Sequence, residues 1–208
     1  MSWCRGSTTI SRELHRLLGD VRACRLCADR LPLGPKPIVQ IGARARILIA
    51  SQAPGRRAHE RGVPFADRTG DNLRRWLGMD RATFHDPEVI AILPIGLCYP
   101  GRGPGGDLPP RAECAPRWHA RLRAAMPAVR LTLLLGRHAQ AHHLGARRGA
   151  TLTETVRAFW GYLPAYFPLP HPSPRNGPWL LRHPWFEEDV LPALRAEVGR
   201  ALTGPGRR

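Results

Sequence analysis

The chain has 208 residues, 43% of them apolar, and a formal net charge of +16. That length can bury a proper core without disulfide staples, and the apolar share is that of an ordinary globular protein. No apolar run is long enough to span a bilayer and the N-terminus lacks a signal-peptide core, so a soluble, cytoplasmic, monomeric protein is expected.

The first predicted element is a helix from Thr9 to about Leu26, with Ile10, Leu14, Leu17, Leu18 and Val21 at helical spacing and Ser11 as its cap. "LPLGPKPIVQIG" (31–42) reads as an extended proline-rich connector. "ARILIA" (45–50) is a buried-strand candidate that runs into "SQAPGRR". After a loop, "TGDNLRRWLGMD" reads as a helix ended by Gly78. "EVIAILPIGLCYP" (88–100) is the second strand candidate, with Pro94 marking a break or bulge. "GRGPGGDLPP" (101–110) reads as a loop, and "RAECAPRWHARLRAAMP" as a helix. "VRLTLLLG" (129–136) is the third strand, followed by a helix through "RHAQAHHLG". A helical turn or two in "TLTETVRAFWGYLP" precedes the fourth strand, in "AYFPLPHPSP" (165–174). "PWFEEDVLPALRAEVGRALTG" closes the chain as a helix, before a basic tail over 204–208.

Strands alternating with helices predict an α/β fold: a three-layer α/β/α sandwich around a central, mainly parallel four-stranded sheet. One domain is expected over 1–208, with the N-terminal helix within 1–23. In such a sheet, sites form beyond the carboxyl ends of the strands. The functional loops are then 51–71, 94–110, 136–143 and 171–177.

The basic residues are almost all arginine; Lys36 is the only lysine. Arginine's planar fork suits phosphate, and so large an imbalance favours an anionic partner, above all nucleic acid. The five cysteines are Cys4, Cys24, Cys27, Cys98 and Cys114. An odd count without an export signal argues against a disulfide framework. The C-x-x-C of Cys24 and Cys27, with Cys98 and Cys114, makes four ligands for an iron–sulfur cluster or a tetrahedral zinc. His119 is a fallback ligand and Cys4 is spare.

Three stretches, in this order, resemble the uracil-DNA glycosylase superfamily from about Cys24 to Leu194. "SQAPGRRAHERGVPFADRTGDNLRRWL" (51–77) is similar to the G-E-A-P-G and G-x-P-F stretches of its iron–sulfur branches. "HPSPRN" (171–176) is similar to the late motif of its single-strand-selective branch. The order and spacing of Cys24, Cys27, Cys98 and Cys114 resemble those of the iron–sulfur branches. The resemblance favours a [4Fe–4S] cluster over structural zinc at those four positions, in a structural or DNA-docking role.

The resemblance implies a monofunctional DNA glycosylase that hydrolyses the N-glycosidic bond of uracil or another deaminated base. Its partner is DNA containing a damaged base. His171 would donate a hydrogen bond to the departing base, Phe65 would stack on that base, and Gln52 and Ala53 would line it. Gly55 permits close backbone approach, Ser173 stiffens its loop, and Arg175 or Asn176 would meet phosphate or fill the gap in the duplex. Two positions depart from the pattern. Gln52 stands for a glutamate and cannot act as a base, having no titratable group. Pro94 stands for the asparagine that reads uracil, which leaves the lesion open. For a water-activating base, His59, Glu60, Asp67 and Asp71 are near in sequence. The alternative is a nucleic-acid-binding protein on the same fold with weak or no catalytic activity.

Overall fold

The computed structural model describes residues 5–204, with side chains from residue 12 onward. Cys4, the side chain of Ile10 and most of the expected basic tail lie outside the described residues. In chain order the helices and strands are α1 (Arg5–Arg22), β1 (Ile47–Ala50), α2 (Arg56–Arg61), α3 (Arg68–Leu77), α4 (Arg81–His85) and β2 (Ile90–Ile92). A hairpin of β3 (Arg102–Gly103) and β4 (Gly106–Asp107) follows, then α5 (Cys114–Ala124), β5 (Leu131–Leu135), α6 (Gly136–Leu144) and α7 (Leu152–Arg157). The chain ends with β6 (Tyr166–Leu169), α8 (Gly177–Arg182) and α9 (Leu191–Thr203).

The four long-range strands form one sheet in the order β2-β1-β5-β6, every pair parallel. Both faces are apolar, as a sheet covered on both sides requires. Alternate side chains of β1 serve opposite layers. Ile47 and Ile49 join a core with Trp76 and Leu77 of α3, Phe186, and Leu194 and Val198 of α9. Leu48 faces the other way, onto Leu17 and Val21 of α1 and Trp118 and Leu122 of α5. The expected three-layer α/β/α architecture is therefore present.

Arginine closes several helix ends from a distance. Arg195 donates to the carbonyls of Trp76 and Arg75, each at 3.1 Å, where α3 runs out of partners of its own. Arg46 and Arg130 do the same for Leu202 and Gly204 at the end of α9. Part of the positive charge thus stabilises the fold through helix carbonyls.

Several local expectations are corrected. Helix α1 begins at Arg5, so Ser11 lies within it and not at its start. The strand expected over 88–100 is only Ile90–Ile92. From Leu93 to Pro100 the chain is buried coil, although Leu93 and Ile95 still donate to the carbonyls of Ile49 and Ser51 on either side of Pro94. Helix α2 and the small hairpin lie in stretches expected as loop, and α4 and α8 in stretches with no expected element. Among the described residues, no helix is long and apolar enough to cross a membrane.

Candidate active site

All four strands of the sheet point the same way, so the segments leaving them gather at one edge. Ser51 to Gly55 leave β1, Leu93 to Gly96 leave β2, Gly136 follows β5, and Pro170 to Asn176 leave β6. The first two segments stay side by side beyond the sheet: Ile95 N–H donates to Ser51 O at 2.8 Å and Gly96 N–H to Gln52 O at 2.9 Å.

The HPSPRN segment is pinned from three sides. Buried Gln140 on α6 donates to the carbonyl of Leu169 at 3.0 Å, fixing the end of β6. Asn72 on α3 donates to the carbonyl of Pro172, also at 3.0 Å. Asn176 donates to the carbonyl of His171 at 2.6 Å and closes the loop on itself. Asn176 is therefore committed inside the loop. Ser173 caps the short turn over Pro174–Asn176 by accepting the Arg175 N–H at 3.3 Å.

This frame sets the state of His171. The N–H of Ser173 donates to its Nδ1 at 3.3 Å, so Nδ1 acts as acceptor and the proton sits on Nε2. Burial pushes the imidazole pKa down to about 4, against a smaller upward pull from Asp67. His171 is thus a neutral side chain with an Nε2–H donor at neutral pH. Gly136, at φ 77°, lies against it; a Cβ there would stand 3.3 Å from the His171 Cβ.

Phe65 is held in an unusual backbone state. Its φ is 53°, in the left-handed region that a bulky side chain rarely occupies. Its carbonyl lies against Gly70 in the first turn of α3, where any Cβ would overlap that oxygen. Asp67 caps α3 by accepting the N–H groups of Thr69 and Gly70 at 3.0 and 3.3 Å. The ring meets buried Phe84 edge to face at 6.0 Å and is itself partly buried.

Gln52 points elsewhere than a base would. Its amide nitrogen donates to the carbonyls of Leu108 at 2.7 Å and Asp107 at 3.3 Å, so it holds the β3–β4 hairpin. Ala53 is half-buried on the same turn, and Gly55 caps α2. Pro94 is buried, and its carbonyl lies 3.1 Å from His119 Nε2. His119, the fallback ligand, is committed to that backbone. Arg175 reaches back across the hairpin, its Nη1 2.9 Å from where a Cβ on Gly106 would lie.

Away from this edge, Cys24, Cys27, Cys98 and Cys114 line one pocket with Leu97, Arg111 and Trp118, of about 300 Å3 including its mouth. It joins the end of α1, the coil after β2 and the start of α5. Burial pushes the Cys98 thiol up to about 12, with the other three cysteines adding to the effect. Among the described residues, no group of three or more Cys, His, Asp or Glu side chains is drawn together closely enough to hold a metal ion. The Arg111 Nε is buried without a hydrogen-bond partner among the described residues.

The hairpin lies within 94–110, a loop expected to serve the site, but its two strands were not expected. The sequence reading missed Asn72, Gln140 and His119 as supports of the site. A polar residue on a helix carries no local sign that it reaches inward.

One protein-family model, described as the uracil DNA glycosylase superfamily, matches residues 39–195 of the 208. The match takes in all four strands and all four segments at the carboxyl edge.

Proposed function

Because the chain belongs to the uracil DNA glycosylase superfamily, we propose that it hydrolyses the N-glycosidic bond of uracil or another deaminated base in DNA. The observation that carries this reading is the neutral His171 with its proton on Nε2. When the glycosidic bond breaks, the base leaves with the bonding electrons and the sugar becomes oxocarbenium-like. A fixed N–H beside the departing oxygen stabilises that charge without reorganisation. Extruding the nucleotide costs stacking energy, and the Phe65 ring replaces part of it. The turn from Gln52 to Gly55 offers main-chain groups along the base. Arg175 supplies charge for the strand. Lys36, the one lysine, donates to the carbonyl of Glu60 at 3.2 Å, which supports reading the enzyme as monofunctional, without a Schiff-base lysine.

Pro94 brings no side-chain donor to read a base edge. The lesion is therefore best found by experiment. Single- and double-stranded oligonucleotides carrying uracil, hypoxanthine or xanthine are incubated with the protein and treated with alkali. Strand scission at one or more lesions is the expected result. Salt-sensitive binding without scission at any lesion would instead make this a binding protein on the glycosylase fold.

We propose that the four-cysteine pocket holds a [4Fe–4S] cluster rather than zinc. A single zinc needs its ligands on one point at about 2.3 Å, whereas a cluster fills a volume between separated sulfurs. The orphaned Arg111 Nε also calls for an acceptor that cluster sulfides provide. Cys24, Cys27, Cys98 and Cys114 would hold the group, which would tie α1 to α5 and leave the chemistry to the carboxyl edge. Anaerobically purified protein should contain iron and acid-labile sulfide in equal amounts, and Cys98→Ser should lose both. Colourless protein loaded with zinc would overturn the assignment.

A further inference from the structure

The proposed hydrolysis needs a group that takes a proton from water, and the acids and bases that the sequence offered near the motif have structural partners or are buried. Asp67 caps the N-terminus of α3, accepting both N–H groups on Oδ1. Asp71 is paired with Arg74, and Glu60 with Arg56 at 2.8 Å. His59 is buried 6.3 Å from the Tyr99 ring, with its pKa lowered by burial and by Lys36.

A carboxylate outside that set stands at the site. Asp107 ends strand β4, 55 residues from Gln52 in the chain. One carboxylate oxygen lies 3.6 Å from where a Cβ on Gly55 would be, so the group faces the glycine of the SQAPG turn. Its surroundings act on it through burial and through the charges of Arg175, Arg102 and Asp67, with no hydrogen bond among them. It also acts on the Tyr99 hydroxyl through space. Arg175, from the HPSPRN loop, reaches the same hairpin, its Nη1 2.9 Å from where a Cβ on Gly106 would lie. The amide of Gln52 is the tie between the SQAPG turn and this hairpin.

We infer that Asp107 activates the attacking water in the proposed reaction, and that Gln52 is the positioning residue that holds the Asp107 hairpin against the site. The inference rests on the glycosylase reading. The water oxygen forms a bond to the sugar C1′ as the N-glycosidic bond breaks. One water proton passes to the Asp107 carboxylate. The bonding pair leaves on the base, whose charge meets the His171 Nε2–H, and the proton on Asp107 returns to solvent. Gln52, which cannot be a base, thereby acquires a function that its amide can perform.

The test is single-turnover excision on the best oligonucleotide substrate, with binding to the same oligonucleotide measured alongside. Asp107→Asn should slow excision by roughly 10²–10⁴-fold, the usual worth of a general base. Binding should stay within about twofold, since the change removes no donor to phosphate. Burial raises the Asp107 pKa above the ordinary carboxylate value, so wild-type activity should climb with pH through that elevated pKa, and the variant should lose that climb. Gln52→Ala should slow excision while keeping the climb. Glu60→Gln and Asp71→Asn should match the wild type. An Asp107→Asn protein with wild-type rate and pH profile would overturn the inference while leaving the glycosylase reading intact. A variant that loses binding along with rate would overturn it too, by making Asp107 a docking residue. A wild type that excises no base at all would remove the glycosylase reading itself, and this inference with it.

Discussion

His171→Ala slows base excision by roughly 10²–10³-fold, the effect of removing one fixed donor to a developing anion. DNA binding survives the change, because the buried imidazole is proposed to meet the base and not the phosphates. His171→Gln, which keeps an N–H donor on a longer arm, falls between the two. The imidazole stays neutral down to about pH 4, so wild-type turnover shows no break near pH 6.5, where an ordinary histidine gains its proton. Single-turnover rates between pH 4 and 8 check the two variants and the pH profile, and binding of the same oligonucleotide checks the retained affinity. Wild-type rates in the alanine protein would deny His171 its role.

Gly70→Ala is the substitution with the largest expected effect on both fold and site. A Cβ at Gly70 would overlap the carbonyl oxygen of Phe65, with the carbonyl carbon and Cβ of Phe65 close behind. Neither side has room to yield. Behind Gly70, Leu73 and Trp76 are almost fully buried. In front, Phe65 already occupies a left-handed backbone state. Overpacking of this kind costs about 1–3 kcal/mol, and each kcal/mol lowers Tm by about 2–4 °C in a chain of this size. Excision should fall as well, because relief of the overlap moves Phe65 off the base. Gly199→Ala is the matched control. Gly199 lies in α9 with open space around it, and alanine there should stabilise the helix by about 0.5–1 kcal/mol. Thermal melts of both proteins decide it; a Gly70→Ala protein with unchanged Tm and turnover would contradict the packing argument.

The sheet was legible because each strand is a short apolar run between proline- or glycine-rich stretches, and parallel order follows from the helices between them. The second strand was overread. Leu93 to Pro100 are buried as a strand would be, but the paired register with β1 ends at Ile92 and the chain goes on as coil. The hairpin was invisible for the opposite reason. "GRGPGGDLPP" has the composition of a loop, and only two residue pairs make its ladder. The site was half legible. HPSPRN and GVPF put His171 and Phe65 in loops that follow β6 and β1, and the roles proposed for them rest on the family resemblance. The state of His171 depends on the Ser173 N–H, and the placement of Asp107 depends on an amide 55 residues away. Both follow from the three-dimensional fold, which no local pattern encodes. The duty of Asn176 was misread because its inward bond to His171 is a matter of loop geometry.

The central claim is that this carboxyl edge removes a base from DNA and leaves the backbone whole. The direct measurement is to quantify free base and abasic sites from one reaction, before any alkali is added. The account predicts one free base for each abasic site, with uncut strands, and both products lost together in His171→Ala. DNA that is bound in a salt-dependent manner while no free base is released, for uracil, hypoxanthine and xanthine alike, would contradict it.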